Sequence, residues 1–291
     1  MNQLCNASKL TQILQTNGFE SGEVTRVNPV SGGSINSAYA VHTRKERFFL
    51  KVNRADAYPQ MFESECKGLE LLAEHSQFVV PKPLFIAKHA GFAYFFMQYL
   101  TPERSHQNHF EFGVKLAQMH RASSSQFGLN HNNYMGSLPQ QNQFADTWVH
   151  FFGQNRLEPQ VALARDKGAI DAETARRFDA FYKRMPDLFP EEPPALIHGD
   201  LWSGNYMFTA GGPAIFDPAV AFAHREQDLA MTKLFGGFSP AFYRGYFEEY
   251  PVESGFESRV DAYNLYPILI HVNLFGGGYV GQLKEMLRNY L

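Results

Sequence analysis

The chain has 291 residues, 44% of them hydrophobic and 19% charged, with a net charge of −3. This composition excludes a disordered chain and leaves room for one large domain or two modest ones. With no long basic run, neither nucleic acid nor an anionic membrane is expected as a partner. The 27 phenylalanines predict extensive buried aromatic packing. The only cysteines, Cys5 and Cys66, are too few for a disulfide framework and lack metal-ligand spacing. Met1 to Leu14 has no continuous apolar core of a signal peptide, and no stretch reaches the ~18 apolar residues of a membrane span. The expectation is a soluble, cytoplasmic protein.

Ser8 is the expected cap of a short helix carrying Leu10, Ile13 and Leu14 and stopped by Gly18. Val24 to Val30, Ile35 to Val41 and Arg47 to Val52 read as strands, the first two joined by Ser31-Gly32-Gly33-Ser34. Pro59 opens a helix running to about His75. Pro81 and Pro83 break the chain, and Leu84 to Ala87 and Phe92 to Met97 form a hairpin turning near Gly91. Helices follow at His109 to Ala122, Phe144 to Arg156 and Asp171 to Met185. After the breakers Pro190, Pro193 and Pro194 come two short strands joined by Thr209 to Pro213. The remainder is helical: Asp228 to Phe235, Pro240 to Tyr250 and Glu257 to Phe275. A boundary near Gln98 to Pro102 divides residues 1–100, a small sheet-rich lobe with one inserted helix, from residues 101–291, a mostly helical lobe.

Three side chains on the ends of short apolar runs carry the chemistry: Asp200, Asn205 five positions later, and Asp217. Phosphoryl transfer needs this set, with one carboxylate to receive a hydroxyl proton and an amide and a second carboxylate to hold magnesium. Protein kinases use the same Asp-x-x-x-x-Asn spacing followed by a metal-binding Asp. Lys51 lies within the apolar strand Phe48 to Val52, where an ammonium either snorkels to the strand end or has an anionic partner. On the following helix Glu63, Lys67, Glu70 and Glu74 share a solvated face, whereas Glu65 falls on the stripe of Met61, Phe62, Leu69 and Leu72. A carboxylate there requires a partner, and Lys51 is the nearest candidate. The turn Gly32-Gly33-Ser34-Ile35-Asn36 is no Walker loop, but it precedes Lys51, where backbone N–H groups can cover phosphates. His224-Arg225-Glu226-x-Asp228 opens a helix, and its acids either compensate the dipole or form a polar wall for a sugar or amine. Gly276 to Gly278 read as a helix cap and turn.

These motifs resemble the fructosamine kinase (ketosamine-3-kinase) family, a branch of the aminoglycoside-phosphotransferase-like kinases. The resemblance runs through Gly32 to Asn36, Met61-Phe62-Glu63-Ser64-Glu65, Val80-Pro81-Lys82-Pro83, Asn132-Asn133-Tyr134, Pro139-Gln140 and Arg156 to Gln160. Its most distinctive parts are His198 to Asn205, Asp217-Pro218-Ala219, His224 to Met231 and Asn273 to Tyr279. Trp202 after the catalytic Asp-Leu, and Asp217-Pro218-Ala219 in place of Asp-Phe-Gly, separate it from protein kinases. The resemblance implies an α+β, two-lobed protein-kinase-like fold and ATP-dependent phosphorylation of the sugar O3 hydroxyl of a ketosamine, a deglycation repair. It implies Asp200 as base, Asn205 and Asp217 on Mg²⁺, and Lys51, Glu65 and the glycine turn at the ATP phosphates. Met97, Gln98, Tyr99 and Leu100 would be the hinge touching adenine, and Trp202, His224 and Glu226 would face the substrate. The alternatives are another small-molecule kinase of this fold, for an aminoglycoside, choline or homoserine, or a nucleotide-binding pseudokinase. A monomer or weak homodimer is expected. Ser34 stands where many relatives have Cys, so the resemblance does not carry a thiol switch or an inter-chain disulfide over to that turn.

Overall fold

The computed structural model describes residues 5–19, 23–30, 35–105 and 107–290. Gly32, Gly33 and Ser34 lie outside the described residues. Helix α1 (Ala7–Thr16) is capped by Asn6, whose Oδ1 accepts from the Lys9 amide at 2.8 Å, so the cap stands two residues before the expected Ser8. Strands β1 (Val24–Val30), β2 (Ser37–Thr43) and β3 (Arg47–Arg54) precede α2 (Met61–His75), and β4 (Pro83–His89) and β5 (Phe92–Gln98) follow it. They form one antiparallel sheet in the order β1-β2-β3-β5-β4. Successive strand residues point to opposite faces. Phe48, Leu50 and Val52 therefore pack toward α1 with Leu10 and Leu14. Phe49 faces the other way, toward α2 with Met61, Phe62 and Leu69. Lys51 shares the parity of Phe49, and this turns its ammonium toward α2.

Beyond Gln98 the chain is mainly helical. Helix α3 (His109–Met119) is followed by a two-stranded hairpin of β6 (Asn133–Met135) and β7 (Leu138–Gln140). Helix α4 (Trp148–Phe151) widens into a π-helical turn, Phe152–Leu157, and continues as α5 (Glu158–Asp166). A helix was expected from Phe144, but Thr147 caps the start at Trp148, Ala145 pairs with Phe127, and Phe144 is 52% exposed. The π turn carries Arg156 inward, where it is 1% exposed. Its guanidinium lies over the Phe151 ring at 4.4 Å and donates to Asn142 Oδ1 at 2.7 Å and to the Gln141 carbonyl. Burial lowers that guanidinium to about 10.

Helix α6 (Ala172–Leu188) leads to four short strands: β8 (Ala195–Ile197), β9 (Tyr206–Thr209), β10 (Gly212–Ile215) and β11 (Ala221–Ala223). Strand β9 pairs with β10 as expected, and β8 pairs with β11. Helices α7 (Glu226–Leu234), α8 (Pro240–Glu249), α9 (Phe256–Phe275) and α10 (Gly278–Arg288) complete the chain. Helices α3 and α8 pack backbone to backbone: a Cβ on Gly113 would lie 1.9 Å from the Phe242 carbonyl oxygen, and one on Gly245 2.2 Å from that of Phe110. The core of this lobe is rich in aromatics, among them Phe151, Phe152, Phe178, Phe181 and Tyr263. Among the described residues no helix is long and apolar enough to cross a membrane.

Candidate active site

The cleft lies between the sheet and the helical lobe, and Lys51 spans it. Lys51 Nζ donates to Glu65 Oε1 on α2 at 2.6 Å and to Asp217 Oδ1, just after β10, at 2.7 Å. The lysine and glutamate side chains are 6% and 10% exposed, and that of Asp217 is 41%. Burial alone would lower the Lys51 pKa, but Asp217 and Glu65 together outweigh it and hold the ammonium protonated. The expected Lys51–Glu65 pair is thus present, and the sequence reading did not anticipate that Asp217 shares the same cation.

Asp200 sits in the loop after β8. Asn205 Nδ2 donates to its carboxylate Oδ2 at 2.9 Å and to its backbone carbonyl at 2.8 Å. Burial, with the nearby carboxylates of Asp217 and Asp228, pushes Asp200 up to about 8 against the lowering effect of the Asn205 hydrogen bond. Gly199 explains why the loop can form. Its φ is +83°, and a Cβ there would lie 2.1 Å from the Ala219 carbonyl oxygen, so the loop bearing Asp200 and the loop bearing Asp217 cross at a residue without a side chain. The crossing is tied by hydrogen bonds from the Ala219 amide to the His198 carbonyl and from the Phe216 amide to the Asn205 carbonyl. Asp217 has a φ of +58°, an unusual backbone state for a residue with a side chain.

Asp228 on α7 holds this loop from behind. Its two carboxylate oxygens accept the amides of His198 at 2.7 Å and Gly199 at 2.8 Å, and Oδ2 also meets His120 Nε2 at 3.2 Å. From sequence Asp228 resembles a helix-capping acid, and only the tertiary contact reveals its hold on the Asp200 loop. A second tether comes from the β6–β7 hairpin. Asn133 Nδ2 donates to the Val220 carbonyl and Gln140 Nε2 to that of Ala219, fixing the chain just past Asp217. Tyr266 donates to Gln140 Oε1 at 2.8 Å. Scattered Asn and Gln with no apolar period gave no signal for this role.

Trp202 is half-buried, and its ring lies against Gly204, where a Cβ would come within 2.3 Å of it. It packs against the core of the helical lobe, and Phe235 meets it edge-on at 6.2 Å. Ile35 and Asn36 lie just before β2, and Asn36 Oδ1 accepts from Asn53 at 3.1 Å. Met97 is buried at the end of β5, Gln98 is exposed, and Tyr99 and Leu100 continue into the helical lobe.

His224 and Glu226 do not face the cleft, and this part of the expectation is corrected. Both are fully buried. The Tyr263 hydroxyl donates to His224 Nδ1 at 2.8 Å, while Nε2 donates to the Pro190 carbonyl at 3.2 Å. Burial lowers His224 to about 4, so the ring is neutral. Glu226 receives a two-pronged bond from Arg259 at 2.8 and 2.7 Å. The reason is that α7 runs through the core: Glu226 to Thr232 are all buried, so its polar residues pair internally instead of forming an outer wall.

A two-lobed molecule with a lysine–glutamate pair and an Asp, Asn and Asp in one cleft belongs to the kinase-like phosphotransferase class. The same architecture recurs in an aminoglycoside phosphotransferase crystal structure, with a TM-score of 0.65 over 97% of this chain and 99% of that one; the 16% identity carries the likeness no further than the fold. The model of the family described as fructosamine kinase matches residues 6–291. A probable ketoamine kinase of Synechocystis is 41% identical over 283 residues, covering 96% of this chain and 95% of the relative. A crystal structure from Thermobifida fusca, of a protein provisionally named a fructosamine-3-kinase, superposes with a TM-score of 0.86 at 30% identity, covering 98% of this chain and 99% of that one. The chain belongs to the fructosamine kinase family and is a phosphotransferase acting on a sugar hydroxyl.

Proposed function

We propose that this protein transfers the γ-phosphoryl group of ATP to the O3 hydroxyl of a ketosamine, the adduct of a sugar with an amine. The observation that carries the reading is the single cation Lys51 bonded to both Glu65 and Asp217, beside an Asp200 held by Asn205. Residues 1–100 form the nucleotide lobe, with Gly32 to Asn36 over the phosphates and Met97 to Leu100 along adenine. Residues 101–291 carry the acceptor site.

Glu65 holds Lys51 so that its ammonium points at the phosphates. In its ionised form Asp200 accepts the proton of the acceptor hydroxyl as the new O–P bond forms, a role worth ~10²–10⁴ in rate. The donor set suits Mg²⁺. Asn205 commits its nitrogen to Asp200 and leaves Oδ1, to which no described residue donates, and Asp217 keeps Oδ2 after giving Oδ1 to Lys51. These are hard oxygen donors, and Asn205 and Asp217 would hold the ion. When bound, magnesium neutralises phosphate charge and aligns the transferred group. Trp202 packs against the sugar or its amine substituent.

The test is incubation with MgATP and a ribulosamine or fructosamine, with detection of the sugar 3-phosphate. Turnover by wild type and loss in Asp200→Asn is the expected result. Equal turnover by both removes Asp200 as the base, and turnover of an aminoglycoside or choline in place of the ketosamine replaces the acceptor.

A further inference from the structure

Exposed large hydrophobic side chains are few. Among the described residues they are Val30, Phe144, Phe235 and Phe275, and the last two, 41% and 54% exposed, are linked through the His271 ring. The rings form a continuous ledge. Trp202 meets Phe235 at 6.2 Å, Phe235 meets His271 at 5.1 Å, and His271 meets Phe275 at 5.6 Å and Tyr279 at 4.8 Å. The ledge begins two residues after Asp200. Its far end belongs to the cleft as well, because Leu274, next to Phe275, meets Gly136 at the same place as Ile35 of the nucleotide lobe. A Cβ on Gly136 would lie 3.0 Å from Leu274 Cδ1 and 3.2 Å from Ile35 Cδ1.

His271 adds a polar atom of known direction to this apolar row. Its Nδ1 is 2.7 Å from the Pro267 carbonyl oxygen. A carbonyl can only accept, so the proton is on Nδ1, and in the neutral ring Nε2 is left as the acceptor. No described residue donates to it. Partial burial lowers the His271 pKa, which favours that neutral tautomer.

We propose that Phe235, His271, Phe275 and Tyr279 continue the Trp202 surface into a subsite for the amine half of the acceptor, with the rings against its substituent and His271 Nε2 accepting from its ammonium. This rests on the ketosamine reading above. The chemistry matches on both counts. The secondary amine of a sugar–amine adduct is protonated at neutral pH and attracted to aromatic faces and a lone pair. An arylalkyl substituent gains ring contacts that a methyl group cannot make. The ledge starts at Trp202, in the loop that carries Asp200, so a sugar at Asp200 has its amine within reach of it.

The experiment uses adducts of one ketose with methylamine, with Nα-acetyl-lysine and with benzylamine, and measures kcat/KM for each. The wild-type preference for the benzylamine over the methylamine adduct is expected to be about ten-fold. It falls to within about two-fold of unity in the double variant Phe235→Ala/Phe275→Ala, while Phe144→Ala, an exposed ring elsewhere on the surface, keeps the wild-type ratio. His271→Phe keeps a ring and removes the acceptor atom, so it raises the KM of every adduct about ten-fold without moving the KM of ATP. A wild-type ratio near one, or a ratio that survives the double substitution, overturns the subsite, as does a His271→Phe variant with unchanged acceptor KM. Binding is also read apart from turnover. Trp148 is buried in the core, so quenching on adduct addition reports Trp202. Tighter quenching by the benzylamine adduct in a protein that phosphorylates no ketosamine sustains the subsite and defeats the kinase reading; equal quenching by both adducts overturns the subsite.

Discussion

Replacing Asp200 by Asn should abolish phosphoryl transfer and yet stabilise the metal-free protein, by an amount that grows with pH. The folded carboxyl is pushed from 3.8 up to about 8, chiefly by desolvation. The folded state therefore keeps a proton that the unfolded state releases, and wild-type stability falls as pH rises from about 4 to about 8. Between pH 5 and pH 7, both below the folded value, the ceiling is about 3 kcal/mol, two pH units at 1.36 kcal/mol each. Asp200 retains some contact with water, which reduces this to about 1–2 kcal/mol. At roughly 2 cal/mol/K per residue the unfolding entropy of the chain is about 0.6 kcal/mol/K, so the two melting temperatures should diverge by about 2–3 °C over that range. Asparagine keeps an oxygen to accept from Asn205, so the comparison isolates the charge. The assay is thermal unfolding of both proteins in chelator at pH 5, 6 and 7. A gap that stays constant, or narrows toward pH 7, refutes desolvation as the cause of the raised Asp200 pKa.

Lys51→Met leaves Glu65 and Asp217 without their shared cation. It should cost about 3 kcal/mol in urea unfolding and lower kcat/KM for ATP by ~100-fold, and pairing it with Glu65→Met should recover most of the stability and none of the activity. Gly204→Ala places a methyl group in the Trp202 ring, so acceptor KM should rise about ten-fold, with a shifted tryptophan emission and an unchanged KM for ATP. Glu226→Gln strands the buried Arg259 guanidinium. It should lower stability by about 3 kcal/mol without moving acceptor KM, and a raised KM at unchanged stability would return Glu226 to the substrate wall.

Much of the cleft was legible because its chemistry conflicts with its surroundings. A lysine inside an apolar strand and a glutamate on an apolar helix stripe each demand a partner, and the periods of strand and helix turn both toward the same space. Asp200, Asn205 and Asp217 were legible through spacing alone. What failed were cases in which the fold supplies the meaning. Glu226 and Asp228 sit at a helix start, where acids normally answer the dipole. Here the helix is buried all round, so Glu226 pairs with Arg259 and Asp228 grips the Asp200 loop. Ala195 to Ile197 reads as a strand, but its partner β11 has only three residues, too short for any alternation to register. Ser8 and Asn6 are equally good caps in isolation, and the choice between them is made where the chain leaves the sheet-side core.

The π-helical turn at Phe152–Leu157 accommodates one residue more than an α-helix of the same path. Removing that residue would restore ordinary winding and leave α4 and α5 in phase, so the deletion would not read as a truncated helix. It would instead rotate Arg156 away from the carbonyls and the ring that hold it. A one-residue alignment gap here therefore marks a lineage that has given up its buried guanidinium, and such a lineage should also differ at Asn142 and at Tyr266, whose ring lies 5.6 Å from the guanidinium.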